Sequence, residues 1–131
     1  MRFLLDTNIV SELLANPLGR AASRMREERD TMCTSIIVVA ELRFGLAKCP
    51  SSRRSALLDK VLESLPALPW THPAEVHYGA LRAVLERRGT PVGPNDLLIA
   101  AHALALDATL VTANEREFRR MPGLRVENWT L

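Results

Sequence analysis

The chain has 131 residues, and its 17 lysine and arginine and 15 aspartate and glutamate residues leave a formal charge of +2. This length is typical of one domain whose core needs no disulfide, and Cys33 and Cys49 have no metal-binding spacing. No apolar run approaches the roughly 18 residues of a membrane span, and no signal peptide precedes the first strand, so we expect a soluble, cytoplasmic protein.

The first predicted strand, residues 2–5, ends at a carboxylate. Its apolar run is typical of a strand buried on both faces, and it stops at Asp6, which Thr7 and Asn8 follow. In a parallel α/β sheet, ligands bind at the carboxyl ends of the strands. The alternative is that one of these three residues only caps the helix that begins near Ile9.

Helices and strands alternate along the rest of the chain. Short strands are predicted over residues 31–35, 66–70, 108–112 and 124–129, and helices over 9–16, 21–29, 36–46, 53–65, 73–88, 94–106 and 115–120. This alternation predicts an α/β fold with a mainly parallel sheet. With no linker and no internal repeat, we expect residues 1–131 to form a single domain.

Glu41 interrupts a helix, residues 36–46, that is otherwise almost wholly apolar and that Ser35 can cap. At 3.6 residues per turn, Glu41 shares its face with Val38 and Phe44. Burying an unpaired carboxylate is costly, so Glu41 must find a partner, take up a proton or bind a metal. A salt bridge to an arginine, or exposure at the edge of the helix, would also satisfy it.

Asp96 lies in the first turn of the helix that begins at Pro94. An acidic residue there stabilises a helix by a few tenths to about 1 kcal/mol, which is one sufficient explanation for it. His102 is six positions further on, roughly 240° around the helix, and so faces another way. We therefore interpret His102 as structural.

Polar residues thus recur near strand ends or helix starts: Asp6, Glu41, Asp96 and Asn114. One edge of the sheet could bring them together. Three adjacent carboxylates would raise one another's pKa unless a hard divalent cation kept them ionised. A site without histidine or thiolate favours Mg²⁺ or Mn²⁺ over zinc, and the reaction that follows most naturally is phosphodiester hydrolysis.

Four segments, residues 2–8, 39–45, 93–103 and 110–129, resemble in this order the PIN-domain ribonucleases, and most closely the VapC toxins of bacterial toxin–antitoxin pairs. The resemblance covers essentially the whole chain. It implies a PIN-like α/β/α sandwich and a Mg²⁺- or Mn²⁺-dependent endoribonuclease that cleaves tRNA, rRNA or mRNA and inhibits growth or translation. It further implies a homodimer held inactive by a VapB-type antitoxin.

The resemblance also assigns roles to residues. Asp6, Glu41 and Asp96 match the family's catalytic, metal-binding acids. Thr7, Asn8 and Thr112 match the polar residues that surround these acids in the family. Many PIN domains have a fourth acid where this chain has Asn114, which can accept a hydrogen bond from a metal-bound water but adds no charge. A second metal is therefore less expected. Glu117 is a possible fourth acid, although Glu115 and Glu117 could both face solvent.

Other classes of protein fit the sequence less well. A non-catalytic PIN-fold domain that binds RNA or a protein is the main alternative, and the presence of all three acids argues against it. A phosphoacceptor receiver domain needs an acidic pair after the first strand and a lysine after a late strand, but the only lysines are Lys48 and Lys60. No nucleotide-binding GxGxxG or GxxxxGK[ST] motif occurs.

Overall fold

A five-stranded parallel sheet forms the centre of the computed structural model, which describes residues 2–131. The strands are β1 (Phe3–Leu5), β2 (Met32–Ser35), β3 (Ala67–Leu68), β4 (Thr109–Val111) and β5 (Val126–Glu127). They lie in the order β3-β2-β1-β4-β5, and every pairing among the described residues is parallel. The predicted α/β fold is confirmed.

Seven α-helices connect the strands within the described residues. They are α1 (Thr7–Ala15), α2 (Arg20–Glu27), α3 (Ile36–Lys48), α4 (Ser52–Ser64), α5 (Ala74–Arg87), α6 (Pro94–Ala105) and α7 (Glu115–Phe118), with a 3-10 turn over Arg29–Thr31. Because parallel crossovers are right-handed, α1 to α4 cover one face of the sheet and α5 to α7 the other. The result is the α/β/α sandwich that the sequence predicts. No helix of this part of the chain is long and apolar enough to span a membrane.

The core lies on both sides of β1. Leu4 and Leu5 are fully buried, and Phe3 makes an edge-to-face contact with Trp129, with ring centroids 5.1 Å apart. Burying each large apolar side chain of this kind contributes roughly 1.5–3 kcal/mol. The central strand is therefore fixed firmly, and so is the turn at its carboxyl end.

The strand order opens a crevice at one edge of the sheet. β1 and β4 are neighbours, but the connections that follow them run in opposite directions across the sheet. The connection after β1 leads to β2 on one side, and the connection after β4 leads to β5 on the other. In α/β sheets, the carboxyl ends of two such strands border the usual ligand-binding crevice. Asp6 follows β1 and Thr112 follows β4, so both lie at this crevice.

Helix α3 is less buried than its composition predicts. Val38 is fully buried, but Phe44 is 68% exposed and Gly45 is also exposed. The second half of the helix is mostly exposed, and the partly buried Glu41 lies at the boundary between core and solvent.

Candidate active site

Asp6 lies at the centre of the crevice, where the register of the sheet places it beside Thr112. Leu5 pairs with Val111, and the Asp6 backbone N–H donates to the Val111 carbonyl at 2.9 Å. The Asp6 side chain caps α1, because its Oδ1 accepts a hydrogen bond from the Thr7 backbone N–H at 2.8 Å. Its Oδ2 accepts a second one from the Thr112 hydroxyl at 2.8 Å. The predicted cap is therefore present, and it is only part of what holds this carboxylate.

Burial is the main electrostatic influence on Asp6, which is only 3% exposed. Burial raises the pKa of the Asp6 carboxyl, and the negative charges of Glu41 and Glu117 add to that rise. The hydrogen bonds from Thr112 and Thr7 oppose it, but the net pKa is raised.

Asn8 and Thr112 join the two turns that border the crevice. The Asn8 side chain donates to the Thr112 hydroxyl oxygen and to Asp6 Oδ2, both at 3.3 Å, and accepts from the Ala113 backbone N–H at 2.9 Å. The fully buried Thr112 hydroxyl also accepts from the Asn114 backbone N–H at 3.0 Å. These bonds fix the position of Asp6 relative to the start of α7.

Glu41 approaches the crevice from α3. Ser35 caps this helix, accepting a hydrogen bond from the Ile37 backbone N–H at 3.1 Å. The partner of the Glu41 carboxylate is the Thr7 hydroxyl, which donates to its Oε1 at 2.7 Å. Within residues 2–131 Glu41 forms no ion pair, so the alternative of a salt bridge to arginine is wrong.

Asp96, in the first turn of α6, contacts a residue of α7. Its carboxyl group lies within reach of the Glu117 carboxyl group, which acts on its pKa. The pKa of Asp96 is raised from 3.8 to about 7. Burial is the largest cause, and the charges of Glu117, Asp6 and Glu41 follow in that order. The structure thus brings Asp6, Glu41 and Asp96 close enough to influence one another.

The two glutamates of α7 point in different directions. Glu117 accepts a hydrogen bond from the Asn114 side-chain amide at 2.6 Å and lies against Asp96. Glu115 instead accepts from Arg119 at 2.8 Å and from Asn128 at 3.1 Å. Glu117 therefore joins Asp6, Glu41 and Asp96 in a group of carboxylates that we call the acidic cluster, rather than facing solvent. The sequence signal for this arrangement is its three-residue spacing from Asn114.

His102 is buried away from solvent and hydrogen-bonded to a residue outside the acidic cluster. Its Nδ1 lies 2.8 Å from the hydroxyl of Ser35, the residue that caps the helix of Glu41. Burial lowers the pKa of His102, which favours the neutral ring. His102 thus links α6 to the start of α3, a contact that the sequence did not reveal.

The acidic cluster offers only oxygen donors, namely the carboxylates of Asp6, Glu41, Asp96 and Glu117. Within residues 2–131, no three histidine, cysteine, aspartate or glutamate side chains are already arranged to hold a metal ion. Oxygen donors of this kind nevertheless suit Mg²⁺ or Mn²⁺. Glu41 and Glu117 are only partly buried, and their side-chain partners are an uncharged hydroxyl and an uncharged amide. The residues present therefore fit a hard divalent cation.

A cleft of about 210 Å³ adjoins the acidic cluster between α1, α3 and α4. Thr7 and Glu41 line it together with Ser11, Cys49 and Arg54. Its remaining walls are mainly leucine side chains. Glu41 thus links the acidic cluster to this cleft.

Comparison with known proteins places the chain in a family. The PIN domain family matches residues 3–124. The chain is 38% identical over 130 residues to the tRNA(fMet)-specific endonuclease VapC of Salmonella typhimurium, covering 98% of each protein. It is 39% identical over 132 residues to ribonuclease VapC2 of Rickettsia felis, again covering 98% of each.

Solved structures agree with this placement. DNA-bound VapBC from Salmonella typhimurium superposes with a TM-score of 0.94 at 38% identity, over 98% of both chains. VapBC2 from Rickettsia felis, bound to a promoter DNA fragment, gives a TM-score of 0.93 at 36% identity, over 98% of this chain and 99% of that one. The chain therefore belongs to the PIN-domain family, among the VapC ribonucleases.

Proposed function

We propose that this PIN-domain protein, with residues 1–131 acting as one domain, is a divalent-metal-dependent endoribonuclease and the toxin of a toxin–antitoxin pair. The observation that supports this function is the cluster of four carboxylates at the carboxyl ends of β1 and β4: Asp6, Glu41, Asp96 and Glu117. The names of the VapC relatives, which are ribonucleases and endonucleases, support the same reaction.

The metal would be held by Asp6, Glu41 and Asp96, with Glu117 as the fourth acid in place of Asn114. When bound, Mg²⁺ or Mn²⁺ polarises a phosphoryl oxygen and makes an attacking water more acidic. The protein's part is to hold its carboxylates in position before RNA binds. Thr112 and the Thr7 backbone orient Asp6, and the Asn114 amide orients Glu117.

The proposed partners follow from the solved relatives. Several are VapBC complexes, and one is described as a member of the VapBC family of toxin–antitoxin systems, from Mycobacterium tuberculosis. We therefore expect a VapB-type antitoxin to bind this chain and suppress its activity. We also expect a homodimer, which size-exclusion chromatography with light scattering would test.

The first experiment is cleavage of total RNA by the purified chain, with Mg²⁺, with Mn²⁺ and with EDTA. We expect discrete fragments that require the metal, and mapping their ends would identify the target. Initiator tRNA is the first defined substrate to test, because the Salmonella relative is named for it. If the folded protein cleaves no RNA with either metal, the endoribonuclease proposal is wrong, and a non-catalytic RNA- or protein-binding domain becomes the better interpretation.

Two neighbouring glutamates provide a matched test of the site. Glu117→Gln removes a carboxylate from the acidic cluster, whereas Glu115→Gln removes one from the other side of the same short helix. We expect cleavage to fall at least about tenfold in Glu117→Gln and to stay near wild type in Glu115→Gln. Calorimetric titration with Mn²⁺ should show weakened binding only in Glu117→Gln. Equal behaviour of the two variants would remove Glu117 from the site.

A further inference from the structure

Four exposed arginines form a positive surface beside the acidic cluster, which we call the α5/α7 patch: Arg87, Arg88, Arg116 and Arg120. The first two end α5, and the others lie on α7 and just after it. The Arg88 guanidinium reaches the Arg120 backbone carbonyl, with Nη1 and O 3.5 Å apart, so the two segments meet.

The patch borders the proposed catalytic centre directly. Arg120 Nε lies 3.4 Å from the backbone carbonyl of Glu117, whose side chain contacts Asp96. On its other side, Arg88 is the C-cap of α5, and the short loop that follows leads into the helix that carries Asp96. A chain bound along the patch would therefore run into the acidic cluster.

Charge pairing sets these arginines apart from their neighbours. Arg82 pairs with Glu86, and Arg119 pairs with Glu115. In contrast, none of the four patch arginines forms an ion pair with any residue between Arg2 and Leu131. Exposed guanidinium groups that have no counter-charge in the protein are available to bind a polyanion.

A positive surface beside an acidic centre helps an RNA substrate to approach it. Four clustered carboxylates repel the phosphates of an approaching strand, and a formal charge of +2 over the whole chain offers little general attraction. Cations placed next to the centre would overcome the repulsion locally. Arginine also binds phosphate through two parallel hydrogen bonds, so it fixes the position of the phosphate in addition to attracting its charge.

We propose that the α5/α7 patch binds the phosphate backbone of the RNA on one side of the scissile bond. This inference rests on the proposed ribonuclease function and adds a location for the substrate. Arg88 and Arg120 are positioning residues: they hold the strand and take no part in bond breaking. Because they contact phosphates, they contribute affinity without base specificity.

The test measures how salt weakens the binding of a fluorescein-labelled single-stranded RNA of mixed sequence, in EDTA so that no cleavage occurs. Each lost phosphate contact should make the negative slope of log K, where K is the association constant, against log salt concentration shallower by about 0.7. The slope for Arg88→Gln/Arg120→Gln should therefore be shallower than that of the wild type by about 1.4. At about 0.1 M salt the same relation predicts roughly 25-fold weaker binding. Arg88→Lys/Arg120→Lys should restore most of the slope.

The control is Arg26→Gln/Arg29→Gln. These two exposed arginines also lack ion pairs within the described residues, but they precede β2 and so lie at the opposite edge of the sheet. We expect their slope to equal that of the wild type. With Mg²⁺, the Arg88/Arg120 glutamine variant should show a raised KM for RNA cleavage and an unchanged kcat.

The outcomes separate this inference from the proposed function. If wild type cleaves RNA and the Arg88/Arg120 glutamine variant keeps the wild-type salt slope, the patch does not bind RNA and the inference alone is wrong. If the patch variant loses binding to poly-L-glutamate while its RNA slope is unchanged, the surface serves an acidic protein instead. If neither the wild type nor any variant cleaves RNA but the salt slopes change as stated, the patch binds RNA and the catalytic proposal is wrong.

Discussion

Replacing Asp96 by asparagine should stabilise the metal-free protein while abolishing cleavage. The Asp96 carboxyl has its pKa raised from 3.8 to about 7 in the folded chain. A carboxyl whose pKa is raised in the folded state lowers the free energy of unfolding at every pH at which the same carboxyl is ionised in the unfolded chain. The cost therefore appears as the pH rises above about 4, grows up to about pH 7 and is constant beyond that. Asparagine carries no charge at any of these pH values.

The size of the effect follows from the same pKa. A rise of roughly three pKa units corresponds to at most about 4 kcal/mol, at 1.36 kcal/mol per unit. Asp96 is only half-buried and interacts with several neighbouring carboxylates, so solvent screening and this coupling reduce the figure to about 1–2 kcal/mol. For a domain of this size, that free energy raises Tm by about 3–8 °C. The asparagine amide can also donate a hydrogen bond to the neighbouring Glu117 carboxylate.

Thermal unfolding in EDTA at several pH values measures this difference. Asp30→Asn is the control, because Asp30 is an exposed carboxylate that lies at the opposite edge of the sheet and forms no ion pair within residues 2–131. The Tm advantage of Asp96→Asn over wild type should be largest near pH 8 and disappear near pH 4. Adding Mg²⁺ should raise the Tm of wild type more than that of the variant. A lower Tm for Asp96→Asn at pH 8 would refute the reasoning and show that Asp96 mainly stabilises the start of α6.

Three further substitutions or reactions test other parts of the structure. Thr112→Val removes a buried hydroxyl donor to Asp6, and should lower the free energy of unfolding by about 1–3 kcal/mol, seen in urea denaturation, together with the cleavage rate. His102→Gln should keep the wild-type cleavage rate in the RNA assay, because His102 does not contact the acids, and loss of activity in a folded variant would contradict this. In the native protein, Ellman's reagent should label the exposed Cys49 quickly and spare Cys33, whose pKa burial raises to about 11, whereas urea should expose both thiols.

The sequence reveals the parts of the site that depend on local pattern. Asp6 and Asn114 each follow an apolar strand. Because the carboxyl ends of parallel strands meet at one edge of the sheet, the sequence predicts that Asp6 lies beside the turn after β4. The Ser35 cap is equally local, since it depends on one residue and the helix after it. The parts of the fold that these rules cover agree with the structure.

Contacts set by tertiary packing are not visible in the sequence. The direction of Glu117 depends on how the one-turn helix α7 is anchored, which the fully buried Phe118 next to it decides. The exposure of Phe44 depends on which elements pack against the second half of α3. The bond between His102 and Ser35 joins residues 67 positions apart. Helical periodicity describes none of these relations, because each depends on another element's position.

The acidic cluster has a rigid half and an adjustable half, and this division predicts how variants should separate stability from activity. Asp6 and Thr112 are buried and each makes several hydrogen bonds, so alanine substitutions, which leave the buried partners of these side chains unsatisfied, should lower both the free energy of unfolding and catalysis. Glu41, Asp96 and Glu117 are partly exposed and repel one another, so neutral substitutions there should lower catalysis alone and leave the metal-free fold as stable or more stable. Such a trade-off is expected where charges are held together for a ligand rather than for the fold. A uniform loss of stability across all five residues would instead mean that the carboxylates are structural.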